Sequence, residues 1–222
     1  MTIKLIHSTF ARDESYCIAN MLESILPYVD ESYILFDDRC DEETLKVVES
    51  FGCHIKMAKL ENFGKFKNIQ LEWINDKADW VFGLAPDETI TEVLGRRLRQ
   101  LAQELQASDV DGVYFSRRHW ADLEMIKEIK GNEGLKGESE WYPDWQQRLV
   151  RLDYPRIHAV RYVHEVIVGI RRSIKVQLDI NHFNTYWKPK LNIDWNKMLE
   201  YYEHLKKLQA IESGYNIWPD KE

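Results

Sequence analysis

The chemistry open to this chain is concentrated in two acidic clusters. The first runs Phe36-Asp37-Asp38-Arg39-Cys40-Asp41-Glu42-Glu43-Thr44, and the second runs Asp79-Trp80-Val81-Phe82-Gly83-Leu84-Ala85-Pro86-Asp87-Glu88. Each lies where a short apolar run with strand character ends. Carboxylates at the carboxyl ends of neighbouring strands of an open α/β sheet converge on the crevice where ligands bind. Gathered there, they suit a cation, a ribose or a base edge. Asp87 follows Pro86 and so also fits a plain turn residue.

The elements that must position these groups read as alternating strands and helices. Strands are expected at 3–7, 32–36, 54–59 and 80–84, with a loop at 8–13. Helices are expected at 14–26, 42–50 and 66–77. Ile18, Met21, Leu22 and Ile25 share one helical face, Asp41 is placed to cap the second helix, and Gly52 is placed to end it. β-α-β-α-β-α-β in about 85 residues argues for a doubly wound, mostly parallel sheet with helices on both faces. Thr89 and Glu92 form a capping box opening a helix to about residue 106. The pattern then changes to strands at 113–120, 148–152, 166–170 and 175–180, with a Gly-bearing loop at 131–139. A last helix is expected from Asn192 to about Ser213, with Trp195, Leu199, Tyr202, Leu205 and Leu208 inward.

We therefore read one domain over 1–190, divided into a nucleotide-binding half (1–110) and a strand-rich acceptor half (111–190), followed by a helical extension at 191–222. Trp120, Trp141, Tyr142 and Trp145 lie near the Gly-bearing loop. They suit either a sugar-binding face or ordinary core. The last helix, with mixed charge and a narrow apolar stripe, fits packing on the domain, a dimer contact or peripheral association with a membrane surface.

The chain has 222 residues and a net charge of −7, which argues against a nucleic-acid binder. Between Arg148 and Lys175, seven basic residues outnumber two acidic ones, a local excess that suits an anionic ligand or a set of solvated strand faces. Three cysteines, Cys17, Cys40 and Cys53, lack metal-ligand spacing and fit reduced thiols in a cytoplasmic setting. The N-terminal residues lack the shape of a signal peptide, and no apolar run approaches the ~18 residues of a membrane span.

Taken in order, six segments resemble the family 2 glycosyltransferases. Ala11-Arg12-Asp13-Glu14 resembles their Ala-Arg-Asn-Glu opening. The Asp37–Thr44 segment resembles Asp-Asp-Gly-Ser-Thr-Asp-Gly-Thr. Phe63-Gly64-Lys65-Phe66-Lys67-Asn68 resembles Phe-x-x-x-x-Asn, and Trp80–Glu88 resembles Trp-Ile-Leu-x-Leu-Asp-Ala-Asp-Glu. Tyr142–Leu149 and Val163-His164-Glu165 resemble later signatures of a subgroup associated with lipopolysaccharide and cell-envelope synthesis. The matches span roughly residues 3–182. Three departures stand out: Ala85 replaces the first carboxylate of Asp-x-Asp, Arg39 replaces a glycine, and Asp13 replaces an asparagine.

The resemblance implies a glycosyltransferase A (GT-A) fold, a nucleoside diphosphate sugar donor (a UDP-sugar favoured), a glycan or lipid-linked saccharide acceptor, and a divalent cation, Mn2+ or Mg2+. Asp87 is then the expected metal ligand, because hard cations take oxygen ligands and keep several waters, and His182 is expected to complete the metal or phosphate site. Asp38, with Asp37 beside it, is expected at the base edge. Thr9, Ala11, Arg12 and Glu14 are expected around the nucleotide, with Lys65 and Asn68 at the start of the third helix and Arg148 toward the diphosphate. An inverting transfer needs a general base, for which Glu165 is the first candidate and Asp144 the second. Each of these residues also has an ordinary structural reading as a cap, turn or solvated charge. Two other classes remain open. A nucleotidyltransferase or nucleotide-sugar hydrolase is disfavoured by the glycine-free loop Ser8–Arg12, and a non-catalytic sugar-nucleotide-binding protein is kept open by Ala85.

Overall fold

A computed structural model describes residues 3–120, 142–183 and 195–213. The expected loop at 131–139, Trp141 and the start of the last helix at 192–194 lie outside the described residues, as do the side chains of Trp195 and Leu199.

Eight strands form one sheet: β1 (Leu5–Ala11), β2 (Glu31–Asp37), β3 (His54–Ala58), β4 (Trp80–Gly83), β5 (Glu88–Ile90), β6 (Val110–His119), β7 (Asp144–Arg151) and β10 (Arg172–His182). Their order is β3-β2-β1-β4-β7-β6-β10-β5. The β3-β2-β1-β4 block is parallel, as is the β6–β10 pair. β7 runs antiparallel to both of its neighbours, and β5 runs antiparallel to β10. β8 (His158–Val160) and β9 (Val166–Val168) form a separate two-stranded ribbon.

Strand alternation divides the core between two faces. Leu5, Ile34, Phe36, Trp80, Phe82, Phe115 and Leu149 point to one face, where α1 (Ile18–Ile25), α2 (Glu42–Ser50) and α4 (Glu92–Leu105) cover them with Met21, Leu22, Val48, Leu94 and Leu98. Ile6, Tyr33, Val81 and Val150 point to the other face, beneath Ile74 of α3 (Phe63–Ile74) and Ile157. Strands buried on both faces read as continuous apolar runs, which is why β1, β2 and β4 were visible in the sequence, whereas β3 is a largely exposed edge strand.

Several boundaries differ from the sequence reading. β1 continues through Ala11, taking in residues expected as loop, because Ser8 Oγ donates to Tyr33 O at 2.9 Å and the parallel register with β2 persists. α3 starts at Phe63 rather than 66, because the side chain of Asn62 accepts from Lys65 N at 2.8 Å and so caps it. The capping box at Thr89 does not form. Thr89 belongs to β5, and Thr91 caps α4 by accepting from Leu94 N at 3.2 Å. Asp41 does cap α2, accepting from Thr44 N at 2.6 Å, and Gly52 takes φ +69° after it.

The last helix, α5 (Trp195–Ser213), packs on the domain. Leu205 is buried, Tyr202 meets Phe63 edge-on with ring centroids 6.2 Å apart, and Gln209 Oε1 accepts from Tyr162 N at 2.9 Å. Leu208, expected inward, is exposed, and the buried Gln209 takes its place on the packed face. Among the described residues no helix is long and apolar enough to cross a membrane.

Candidate active site

The carboxyl ends of β1, β2 and β4 open on one side of the sheet, and the ends of β6 and β10 close the same crevice from the other half of the chain. β6 and β10 lie in parallel register with His119 opposite His182. The β4–β5 turn is held shut by Glu88, whose backbone N donates to Ala85 O at 3.0 Å and whose Oε2 accepts from Ala85 N at 2.9 Å. This turn presents Asp87 to the crevice, and Phe183 N fixes its carbonyl at 2.9 Å.

A continuous polar chain starts at Asp87. His182 Nε2 lies 3.3 Å from Asp87 Oδ2. His182 Nδ1 lies 2.9 Å from His119 Nδ1, and His119 Nε2 lies 2.9 Å from Asp144 Oδ2. Arg117 donates from Nε to Asp144 Oδ2 at 2.7 Å and from Nη1 to Glu88 Oε1 at 3.1 Å, and Arg148 Nη2 donates to the same Glu88 oxygen. Glu88 is fully buried. Burial alone would raise its carboxyl, but Arg148 and Arg117 outweigh that and hold it below the usual range. Burial likewise works against ionised Asp144, yet His119, Arg117 and Gln146 keep its carboxyl far below the ordinary carboxylate range. Asp144 is thus a fixed anion and a poor proton acceptor.

The sequence-expected residues fall into three groups. Asp87, His182, Arg148 and Asp144 come together in this chain of contacts. Thr9 and Ala11 are buried at the end of β1. Arg12 follows them, with its N donating to Glu14 Oε2 and its Nε 3.1 Å from Asp13 Oδ2. The Glu14 carboxyl is raised to about 7, chiefly by burial, with Asp13 and Asp87 adding repulsion. Asp37, buried at the end of β2, is gripped by Arg39 through Nε at 3.0 Å and through Nη2, while Asp38 is half exposed.

The third group points elsewhere. Lys65 is exposed and pairs with Glu61 at 3.3 Å. Both ends of the Asn68 amide are occupied by backbone: Oδ1 accepts from Ala159 N at 2.7 Å, and Nδ2 donates to Ala159 O at 2.9 Å. Asn68 therefore clamps β8 onto α3. Gly64 completes this joint, since a Cβ there would stand 2.3 Å from Arg161 O. The loop so anchored carries Glu165 and has left-handed backbone at Arg161 (φ 74°) and His164 (φ 51°).

Sequence reasoning missed Lys67, Glu88, Arg117 and His119 as site residues. Lys67 Nζ reaches the crevice floor, donating to Gln70 Oε1 at 2.7 Å and lying 5.6 Å from the Phe10 ring centroid. Burial lowers its pKa to about 8, and the charge of Glu165 opposes that shift. The aromatics at 120, 142 and 145 are engaged as well. Trp120 is buried and donates to Asn181 Oδ1 at 2.8 Å, Arg118 lies over Tyr142, and Lys175 lies over Trp145.

Among the described residues, no three His, Cys, Asp or Glu side chains are grouped to hold a metal ion. Asp87 and His182 nonetheless fit a cation that takes its remaining ligands from phosphate and water. Two cis ligands, each about 2.1 Å from a metal, stand about 3 Å apart, close to their 3.3 Å separation.

No protein-family model and no curated protein matches this sequence. Solved structures do. A glucosyl-3-phosphoglycerate synthase from Mycobacterium tuberculosis, in complex with Mn2+, UDP-glucose and phosphoglyceric acid, is 12% identical with a TM-score of 0.57, covering 96% of this chain and 80% of that one. The same synthase with phosphoglyceric acid is 13% identical with a TM-score of 0.54, covering 82% and 72%. A mycobacterial protein is 14% identical with a TM-score of 0.56, covering 82% and 68%. At such identities the likeness shows the fold alone, and that fold is the GT-A type.

Proposed function

We propose that this protein is a metal-dependent glycosyltransferase that moves a sugar from a nucleoside diphosphate sugar, UDP-sugar favoured, to a glycan or lipid-linked saccharide, with inversion at the anomeric carbon. The observation that carries this reading is the 3.3 Å approach of Asp87 to His182 at the ligand-binding edge of a GT-A sheet. The solved synthase with Mn2+ and UDP-glucose lends support by fold.

On this reading Asp87 and His182 hold the cation, whose positive charge offsets the charge that gathers on the departing diphosphate. Lys67 and Arg148 supply fixed cations on the same side, where preorganised charge acts without reorganisation. Thr9, Ala11 and Arg12 border the nucleotide, Asp37 and Asp38 lie at the base edge, and Glu14 backs the Arg12 turn. Glu165 takes the proton of the acceptor hydroxyl as the acceptor oxygen bonds the anomeric carbon and the bond from that carbon to the phosphate oxygen breaks. We prefer Glu165 to Asp144 as base because Asp144 is spent on Arg117, His119 and Gln146. The joint formed by Asn68 and Gly64 sets where Glu165 stands. Lys65 has no role in this scheme. The acceptor class and a cell-envelope setting follow from the family resemblance.

Calorimetric titration with UDP, with and without Mn2+, tests the reading on the wild type and Asp87→Ala. Mn2+-dependent binding that the substitution abolishes supports it. Equal binding by both proteins, with or without metal, would remove Asp87 from the site. A second reading, a donor-binding protein without turnover, draws on Ala85 and on the Arg39–Asp37 ion pair, which occupies a carboxylate expected at the base edge. Donor binding without hydrolysis or transfer in the presence of Mn2+ would favour it.

A further inference from the structure

We infer that His119 is a positioning residue for the cation site, one that orients His182 and dictates which of its ring nitrogens carries the proton. The inference rests on the proposed role of Asp87 and His182 as cation ligands.

The argument runs from the fixed end of the chain. Asp144 is anchored by Arg117 and by Gln146, whose Nε2 donates to Asp144 Oδ1 at 2.7 Å, so its carboxylate can only accept. His119 Nε2, 2.9 Å away, must therefore carry a proton. With one proton on the ring, His119 Nδ1 is an acceptor. The 2.9 Å contact to His182 Nδ1 then requires His182 to donate from Nδ1. With its own single proton so placed, His182 turns a bare Nε2 lone pair toward Asp87. A histidine coordinates a metal through such a lone pair, and its other ring nitrogen is commonly held by an outer partner that fixes tautomer and orientation. Here that partner is a second histidine backed by a carboxylate.

The backbone supports the same relationship. His119 and His182 are register partners at the ends of adjacent parallel strands. Their rings meet edge to face, 77° apart, so the rotation of one limits the other. His182 is buried, and the carbonyl of the same residue accepts from Trp120 N at 2.8 Å, which pins the strand end.

The test measures Mn2+ affinity by electron paramagnetic resonance in the presence of UDP, together with the 14N spin-echo modulation that a coordinated imidazole gives. We expect His119→Leu to weaken Mn2+ binding about 10- to 100-fold and to diminish the 14N signal. His119→Asn should recover most of both, because the Asn Oδ1 can accept from His182 where Nδ1 did. Wild-type affinity and 14N signal in His119→Leu, with Asp87→Ala still abolishing binding, would overturn the inference and leave the cation site standing. Failure of the wild type to bind Mn2+ would overturn both. Should circular dichroism show His119→Leu unfolded, Asp144→Asn carries the test: its amide can donate to His119 and so reverse the proton order, and unchanged Mn2+ affinity there would overturn the inference.

Discussion

Arg148 and Glu88 meet in a pair whose acidic member is wholly removed from solvent: Nη2 donates to Oε1 at 2.5 Å, and Glu88 is 0% exposed. Arg117 shares the same oxygen. Glu88 thus pairs with two guanidinium groups and also holds the turn that presents Asp87. Removing one member of a buried ion pair costs ~3–5 kcal/mol because the other charge is left stranded. Glu88→Gln should lose about 3 kcal/mol in urea denaturation, and Mn2+-dependent UDP binding should fall with it. A loss below about 1 kcal/mol would mean that water already serves the two arginines.

Gly64→Ala should destabilise the protein by roughly 1–3 kcal/mol, the usual cost of overpacking. The added methyl would stand 2.3 Å from the Arg161 carbonyl oxygen, a backbone atom with little room to yield. Because the displaced segment leads to Glu165, turnover with acceptor should fall more than UDP affinity does. Parallel calorimetry and rate measurements on this variant would show the split.

If the proposed function holds, Lys67 should give UDP binding a pH dependence. Its amine, lowered to about 8 by burial, is charged below that pH and neutral above it. Affinity for UDP should therefore decline as pH rises from 7 to 9. Lys67→Met should bind UDP weakly and with little change over the same range, about tenfold or more below the wild type at pH 7 if one charge-assisted hydrogen bond is lost. A wild-type affinity flat from pH 7 to 9 would place Lys67 away from the diphosphate.

Glu14 acts on stability instead. Its carboxyl ordinarily titrates near 4.5 and is raised to about 7 in the folded protein, mainly by burial. The folded state then holds a proton that the unfolded state releases, so stability is full below about 4.5 and is lost as pH rises through about 7. Thermal midpoints of the wild type should drop between pH 5 and pH 7.5. Glu14→Gln should flatten that drop, and identical pH profiles for the two proteins would exclude the effect.

β1, β2 and β4 were legible because they are buried, largely apolar runs, and β3 because the cap at Asp41 and Gly52 mark off the helix before it. What escaped the sequence depends on partners far along the chain. β5 is three residues, Glu88-Thr89-Ile90, and is a strand only because β10 pairs with it about ninety residues later. Once Thr89 is committed there, the helix cap passes to Thr91. Asn62 moves the start of α3 back by one turn, which leaves Lys65 outward, brings Lys67 to the crevice and gives Asn68 to the ribbon. His119 carried no local signal, since its meaning comes from lying opposite His182, 63 residues away. Arg148 was singled out by the family resemblance; in the structure Leu149 faces the core and its neighbour Arg148 reaches the buried Glu88.

The place of β7 in the sheet has a consequence for synthesis on the ribosome. β4 is complete at residue 83, yet the strand that covers its open edge, β7, begins only at residue 144. Until that strand emerges, the parallel block exposes a bare row of backbone donors and acceptors, which invites pairing with another chain. At roughly 5–20 residues per second, the exposure lasts several seconds. Conditions that slow translation between residues 84 and 144 should therefore lower the yield of soluble protein more than equal slowing after residue 151.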